Sequence, residues 1–416
     1  MIKLLIIADD FTGALDTGIQ FAEYGAGTKL MAASELNSSI FYEPDTEVLV
    51  IDAETRHLTS ERAYQIVYYL VRQAREEGVP YIYKKTDSGL RGNIGSELKA
   101  VLEGAEEEFL PYIPALPEMN RITKNGIHYV NQIPIAKTEF GRDPFEPVES
   151  SRVRDLFVKE DIPVCNFSME EKWNTDFRRG TIGIFDSSTR EDIRRIALYL
   201  KGQGQLGVMA GCAGFASVLP EVLGIRKKQV KFPVLRQQLL IACGSMNPIT
   251  RRQIEYGEKL GYRRVIMAPR QQLEEGYLES VEGREWLEKI DHYFEKSNVV
   301  MIDTGAFGME KADEYRRQHG ISMEQARVRV ARRIGNVLKK LLEKNDERTL
   351  MIIGGDTLMG FVSQTGCREI IPVCEVEPGT VLSAMEIDGK RVWVITKSGG
   401  FGNRELFQTV VKRMEV

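Results

Sequence analysis

Histidine is scarce in this chain: four occur among 416 residues, His57, His128, His292 and His319, none close to another. That spacing gives no support to a zinc site built from paired histidines, whereas magnesium, which needs few protein oxygens, stays open. Cysteine is nearly as sparse. Cys165, Cys212, Cys243, Cys367 and Cys374 form no CxxC pair, and an odd count makes a poor disulfide framework, so a reducing cytoplasm is the expected compartment. No uninterrupted apolar run approaches membrane-spanning length, and the short run before Asp9 lacks the longer apolar core of a signal peptide; no membrane association or export is expected. An excess of one charge is missing too. With 28% charged residues, 43% hydrophobic residues and a formal net charge of -4, the composition is that of a soluble globular protein and excludes a basic nucleic-acid footprint.

What is present is alternation. Apolar, β-rich runs such as "TEVLVIDAETR", "PYIYKKTDS", "GTIGIFDSSTR", "QLLIACGSMNPIT", "NVVMIDTGA", "TLMIIGGDT" and "RVWVITKSGG" alternate with helical patterns at 60–77, 191–201, 247–260 and 323–344. This is the signature of βαβ units, and the predicted fold is α/β, with two α/β domains built on mostly parallel sheets. The length agrees with about two domains at roughly 100 to 200 residues each. The charged, proline-containing segment 224–238 is the expected linker, leaving domains at 1–228 and 239–416. Six prolines between Pro111 and Pro147 predict an irregular excursion or short hairpin over 111–149, suited to an active-site element or a subunit contact in a homodimer.

The chain opens with "IIADDFTGALDTG". Leu4 to Ile7 show no alternation and read as a strand buried on both faces, followed by a helix from Thr12 to Ala22. Asp9 and Asp10 therefore fall at the carboxyl end of a strand, where open α/β sheets bind ligands. One aspartate suits a helix cap; capping leaves the other for function.

A denser cluster follows in "YIYKKTDSGLRGN", with Lys84, Lys85, Asp87, Ser88, Arg91 and Asn93 in one strand-to-helix turn. Arginine offers a fork for a carboxylate or phosphate, asparagine bonds a hydroxyl, and aspartate accepts a proton or holds a metal. These groups suit an acidic sugar. "SGGFGN" at 398–403 repeats the S-G-x-x-G-N spacing of 88–93, again after a lysine, so both read as anion-holding turns. Three glycine-containing strand ends, "ACGSMNP", "IIGGDTLMG" and "TKSGGFGN", could together cradle a polyphosphate. No GxxxxGK(S/T) occurs and no strand precedes a clear GxGxxG, so neither a P-loop nor a dinucleotide fingerprint is present. The glycines of "GVMAGCAGFAS" are assigned to close packing, and Cys212 and Cys243, with no histidine in either segment, to structure.

In "ADDFTGALD", "KKTDSGLRGN", "PALPEMNR", "GGDT" and "EVEPGT" to "TKSGGFG", taken in this order, the chain resembles the four-carbon acid sugar kinases, and the resemblance spans nearly its whole length. It implies a substrate domain at the N-terminus, an ATP-binding domain at the C-terminus and catalysis in the cleft between them. By motif, Asp9, Asp10, Lys85, Asp87, Ser88, Arg91 and Asn93 would face the sugar acid, and Ser245, Gly354, Gly355, Asp356, Thr357, Gly399 and Gly400 would hold ATP. Within that frame Asp10 or Asp87 would orient the hydroxyl, Arg91 bind the carboxylate, Lys85 meet the transferred phosphoryl group and Asp356 help magnesium. Two departures stand out: Gly89 occupies a threonine position, and "PEMNR" replaces "PENGR". A D-threonate or D-erythronate kinase is expected, with a 3-oxo-tetronate kinase as the alternative. An NAD-dependent sugar-acid dehydrogenase lacks its glycine spacing, and a non-catalytic sugar-acid-binding protein would need no phosphate-binding half.

Overall fold

A computed structural model describes residues 2–143, 146–170, 173, 180–225, 227–244, 247–305, 308–345 and 347–415, with side chains omitted at 308–310. The chain divides into two compact units, Met1–Val230 and Lys231–Val416.

In the first unit the strands are β1 (Leu4–Ala8), β2 (Thr28–Ala32), β3 (Val48–Asp52), β4 (Tyr81–Lys85), β5 (Phe109–Ile113), β9 (Val164–Phe167), β10 (Thr181–Phe185) and β11 (Val208–Gly211). They form a parallel sheet in the order β2-β3-β1-β4-β11-β5-β10-β9. All five residues of β1 and of β3 are buried, as non-alternating apolar runs in a sheet covered on both faces should be. Each leucine or isoleucine so buried contributes about 1.5–3 kcal/mol of transfer free energy. The helices that cover the sheet include α1 (Phe11–Ala22), α2 (Ser60–Glu76) and α3 (Ile94–Gly104), and Leu70, Val71, Leu98 and Val101 join Ile7, Leu49 and Ile82 in one core.

The strands β2 and β3 lie on one side of β1 and β4 on the other, so the chain changes side at β1, the switch point at which parallel sheets open a crevice at their carboxyl ends. The register Ala8↔Asp52 and Ala8↔Lys85 makes the segments after β3, β1 and β4 leave the sheet side by side.

The proline-rich stretch is more regular than the sequence reading implied. Pro111 lies inside β5, between β11 and β10; its missing donor is tolerated because the register with β11 begins one residue later, at Tyr112. From there β6 (Arg121–Lys124), β7 (Ile127–Val130) and β8 (Ile133–Pro134) form a separate antiparallel sheet, followed by a short 3-10 turn at Glu139–Arg142.

The second unit contains β12 (Leu239–Cys243), β13 (Arg263–Ile266), β14 (Val299–Asp303), β15 (Thr349–Ile353), β16 (Ile370–Glu377), β17 (Thr380–Ile387) and β18 (Lys390–Lys397). Their order is β13-β14-β12-β15-β18-β17-β16, parallel as far as β18 and antiparallel beyond. Here the switch point falls at β12 and β15, with Cys243 opposite Ile353 and Ile353 opposite Lys397. All four residues of 208–211 are buried, and Gly211 and Gly214 pack as the glycine reading expected: a Cβ on Gly211 would lie 2.4 Å from the Ile113 carbonyl, and one on Gly214 2.3 Å from that of Ala115.

Candidate functional site

Asp10, two residues past the end of β1, is the N-cap of α1, its Oδ1 accepting the Gly13 N–H at 2.8 Å. Neither aspartate remains in the strand, so they do not point apart. Both meet Arg56, a residue absent from the sequence-based site: its Nε donates to Asp9 Oδ2 at 2.8 Å and its Nη1 lies 2.7 Å from Asp10 Oδ2. The signal for Arg56 was available, since "IDAETR" ends the strand beside β1. Burial pushes the Asp9 carboxyl up, but Arg56, with Lys84 and Lys85, outweighs it and holds the carboxyl below its ordinary value. The other oxygen, Asp9 Oδ1, is buried without a protein hydrogen-bond partner among the described residues.

The turn after β4 is read residue by residue. Lys84 is fully buried and pairs with Glu97 of α3 at 3.0 Å, so it belongs to the core and leaves the anion-holding role expected of this turn to its neighbour. Lys85, also buried, donates to the Thr86 carbonyl at 2.9 Å and lies so close to α1 that a Cβ on Gly13 would sit 2.6 Å from its Nζ. Asp87 accepts from Arg91 Nε at 2.7 Å. Burial raises the Asp87 pKa, yet Arg56 and Arg91, helped by Lys85, hold it far below the usual carboxylate range. Arg91 also reaches Asp143 at 3.4 Å. Ser88 Oγ accepts from Nη1 of Arg121, the last residue of "PALPEMNR", whose Nε is buried without a hydrogen-bond partner among the described residues. Behind Ser88, its carbonyl is 3.1 Å from His128 Nε2, while Thr123 Oγ1 is 3.0 Å from His128 Nδ1. A carbonyl only accepts, so Nε2 carries the proton and Nδ1 accepts from the threonine. Burial keeps this imidazole neutral, with its pKa lowered to about 4.

Asn93 does not present its amide to the crevice. Its Nδ2 donates to the carbonyls of Thr55 and Leu58, both at 2.9 Å, and its Oδ1 accepts from Ser60 Oγ at 3.2 Å. The side chain is used up in holding the loop that carries Arg56, which makes Asn93 a positioning residue.

In the second unit, Gly354, Gly355, Asp356 and Thr357 follow β15 and open the helix Gly355–Thr365. Gly354 has φ 102°, a conformation open to glycine, and its N–H donates to the Lys397 carbonyl at 2.9 Å. Thr357 is buried against Gly244, where a Cβ would come within 2.4 Å of Thr357 Oγ1. Gly399 accepts from Thr250 Oγ1 at 2.8 Å, and Gly400 borders Asn247, the N-cap of helix Pro248–Lys259. Two helix N-termini thus open at adjacent strand ends, where first-turn N–H groups have no intrahelical acceptor and the positive end of the helix suits phosphate oxygens. Lys397 lies beneath them. Its Nζ contacts Thr250 Oγ1 at 3.1 Å and the Ser398 carbonyl at 2.9 Å, and burial lowers its pKa to about 8. The two S-G-x-x-G-N turns share this device, a strand-end lysine bent back onto the following turn. Asp356 is exposed and 3.3 Å from Arg327, so one carboxylate stands at the helix start; among the described residues no three His, Cys, Asp or Glu gather as a metal cage. Ser245 lies outside the described residues. The two cysteines left out of the site stay out: Cys212 Sγ contacts the Pro114 and Ala115 carbonyls, burial raises its pKa, and Cys243 is buried in β12.

Comparison with known proteins follows the same division. Residues 4–219 match a family model described as a sugar-binding N-terminal domain, and residues 240–407 one described as a nucleotide-binding C-terminal domain. A D-threonate kinase of Salmonella typhimurium is 29% identical over 96% of this chain and 96% of its own. A D-erythronate kinase of Heliobacterium modesticaldum is 27% identical over 99% and 97%. A solved structure from Salmonella typhimurium LT2 superposes with a TM-score of 0.82 at 19% identity, covering 99% of both chains, and so shares the fold. With both halves matched in order over nearly the full length, the chain belongs to the four-carbon acid sugar kinase family.

Proposed function

We propose that this chain is an ATP-dependent kinase that phosphorylates the terminal hydroxyl of a four-carbon sugar acid, D-threonate or D-erythronate. One observation carries the reading of the first unit: beside Lys85, the crevice around β1 and β4 leaves a buried acceptor, Asp9 Oδ1, and a buried donor, Arg121 Nε, without protein partners among the described residues. A hydroxyl satisfies the first and a carboxylate the second, the two groups that define a hydroxy acid. Buried polar groups left unmatched cost free energy, so a ligand bringing both is favoured over one bringing neither.

Phosphoryl transfer requires positioning and neutralisation of developing charge more than covalent chemistry. Asp10, half-buried and held by Gly13 and Arg56, orients the acceptor hydroxyl. Asp87 is a weak base because of its depressed pKa, and it serves to aim Arg91. Lys85 offers its charge to the transferred group. Gly355, Thr357, Gly399 and Gly400 hold the ATP phosphates with backbone N–H groups, while Gly354, its N–H bonded to the Lys397 carbonyl, shapes the turn that Lys397 supports. Magnesium fits a single carboxylate plus phosphate oxygens, with Asp356 the residue that would hold it; the ion neutralises phosphate charge.

The test is a screen of ADP formation over threonate and erythronate isomers and the 3-oxo acid. Release of ADP that depends on one of these acids is expected. ADP release indifferent to acid, or reduction of NAD by the acid, would overturn the reading. Within it, Arg91→Ala should raise the KM for the acid much more than that for ATP, and a collapse of ATP affinity instead would remove Arg91 from the acid site.

A further inference from the structure

Phe140 stands on the 3-10 turn Glu139–Arg142, outside every motif that marks the family. Its ring lies directly on the acid turn. A Cβ on Gly89 would meet the ring at 2.4 Å (Cε1) and 2.6 Å (Cδ1), so the ring fills the volume that a side chain at position 89 would take. Gly89 has no left-handed backbone to explain it; the neighbour with φ 58° is Leu90. What requires glycine here is first the ring and then the Asp87 carboxylate, whose Oδ2 would lie 2.8 Å from the same Cβ.

The same ring contacts both arginines of the turn, with the Arg91 and Arg121 guanidinium carbons 5.4 and 5.0 Å from its centroid. Two guanidiniums close together repel; an aromatic face attracts each and lowers the cost of keeping them near one another. On its remaining side Phe140 borders a cavity of about 570 Å³, lined also by Arg91, Lys137, Arg142, Val130 and Ile133. That volume would admit a molecule larger than a four-carbon acid.

We propose that Phe140 is a specificity-determining residue: its ring, seated on Gly89, fixes the spacing of Arg91 and Arg121 and walls the acid turn off from the adjacent cavity, limiting the site to short sugar acids. This rests on the first unit being the acid site. Gly89→Ala, Phe140→Ala, Phe140→Leu and the double variant Gly89→Ala/Phe140→Ala test it. Gly89→Ala is expected to lower the melting temperature in the parent background and to lower it much less when Phe140 is alanine, where only the Asp87 carboxylate still crowds the added methyl group. Phe140→Ala is expected to raise the KM for the four-carbon acid at least ten-fold with the ATP KM unchanged, and to narrow the discrimination against five-carbon sugar acids at least ten-fold. Phe140→Leu keeps bulk without the aromatic face, and should preserve the discrimination while raising the acid KM. An equal cost of Gly89→Ala in both backgrounds overturns the seating of the ring; unchanged discrimination in Phe140→Ala overturns the wall. If the parent protein turns over no sugar acid, the kinase reading falls, and the melting cycle, read without substrate, still upholds or overturns the pairing of Phe140 with Gly89.

Discussion

Arg56 Nε donates to Asp9 Oδ2 at 2.8 Å, and both side chains are almost withdrawn from water. A buried carboxylate is tolerable only while paired, and the second arm of the same guanidinium, at 2.7 Å from Asp10, ties the helix cap to the pair.

Arg56→Ala should therefore destabilise the first unit by about 3 kcal/mol or more, because it strands a buried charge. Arg56→Lys should recover little, since one ammonium cannot reproduce two divergent N–H contacts. Urea titration of the three proteins checks this; a midpoint unchanged in Arg56→Ala would contradict the pairing.

Asn93 acts at one remove from the ligand, through the Thr55 and Leu58 carbonyls. Asn93→Ala should raise the KM for the acid and lower the melting temperature together, with the ATP KM unchanged, at a cost of about 1–3 kcal/mol for the carbonyls left unmatched. Asn93→Asp, which keeps the acceptor and loses both donors, should behave like the alanine variant. Wild-type thermal stability in either would mean that Asn93 does not hold the loop.

His128 gives the turn an acid sensitivity whose sign follows from its depressed pKa. The unfolded imidazole takes up a proton near 6.5 and the folded one only near 4, so the unfolded state binds more protons in between. Its contribution is complete above pH 6.5 and is lost as pH falls toward 4, a change on the order of 3 kcal/mol. The difference in urea midpoint between pH 7.5 and pH 5 should be smaller in His128→Gln than in the parent protein. Asp87 works over a different range: its folded pKa lies far below the ordinary carboxylate value, so its stabilisation is complete above that value and disappears only as pH falls well beneath it.

Lys397 should matter to the nucleotide and not to the acid. Lys397→Met is expected to raise the ATP KM at least ten-fold with the acid KM unchanged. Because burial brings the lysine pKa to about 8, ATP affinity in the parent protein should also weaken as pH rises through that value, a dependence absent from the variant. Parallel pH profiles for the two proteins would exclude Lys397 from the phosphate site.

Much of the fold was legible because buried parallel strands and covering helices leave different periodicities. Leu4 to Ala8 and Met323 to Lys344 appear in the structure as their patterns predict. Phe109–Ile113 was missed because it contains a proline, and Thr28–Ala32 because five residues with a lysine and a threonine give a weak signal. The site was legible where its residues are contiguous, as at Asp9 and Asp10 or Asp87 and Ser88. Arg121 and Phe140 were not, since each reaches the turn from a separate segment; Arg56 follows a strand visible in the sequence, but its partnership with the two aspartates is not.

Local sequence settled which strand ends carry charge and which carry glycine, because strand burial and helix capping are decided within a few residues of each position. Partnership was decided only by tertiary structure. Lys84 and Lys85 are neighbours in the chain, yet one is sealed against Glu97 and the other lies beside Gly13 in the crevice. Successive side chains at a strand end diverge, and only the packing of β1, β11, α1 and α3 around β4 determines which of two identical ammonium groups meets a carboxylate and which comes to lie beside Gly13.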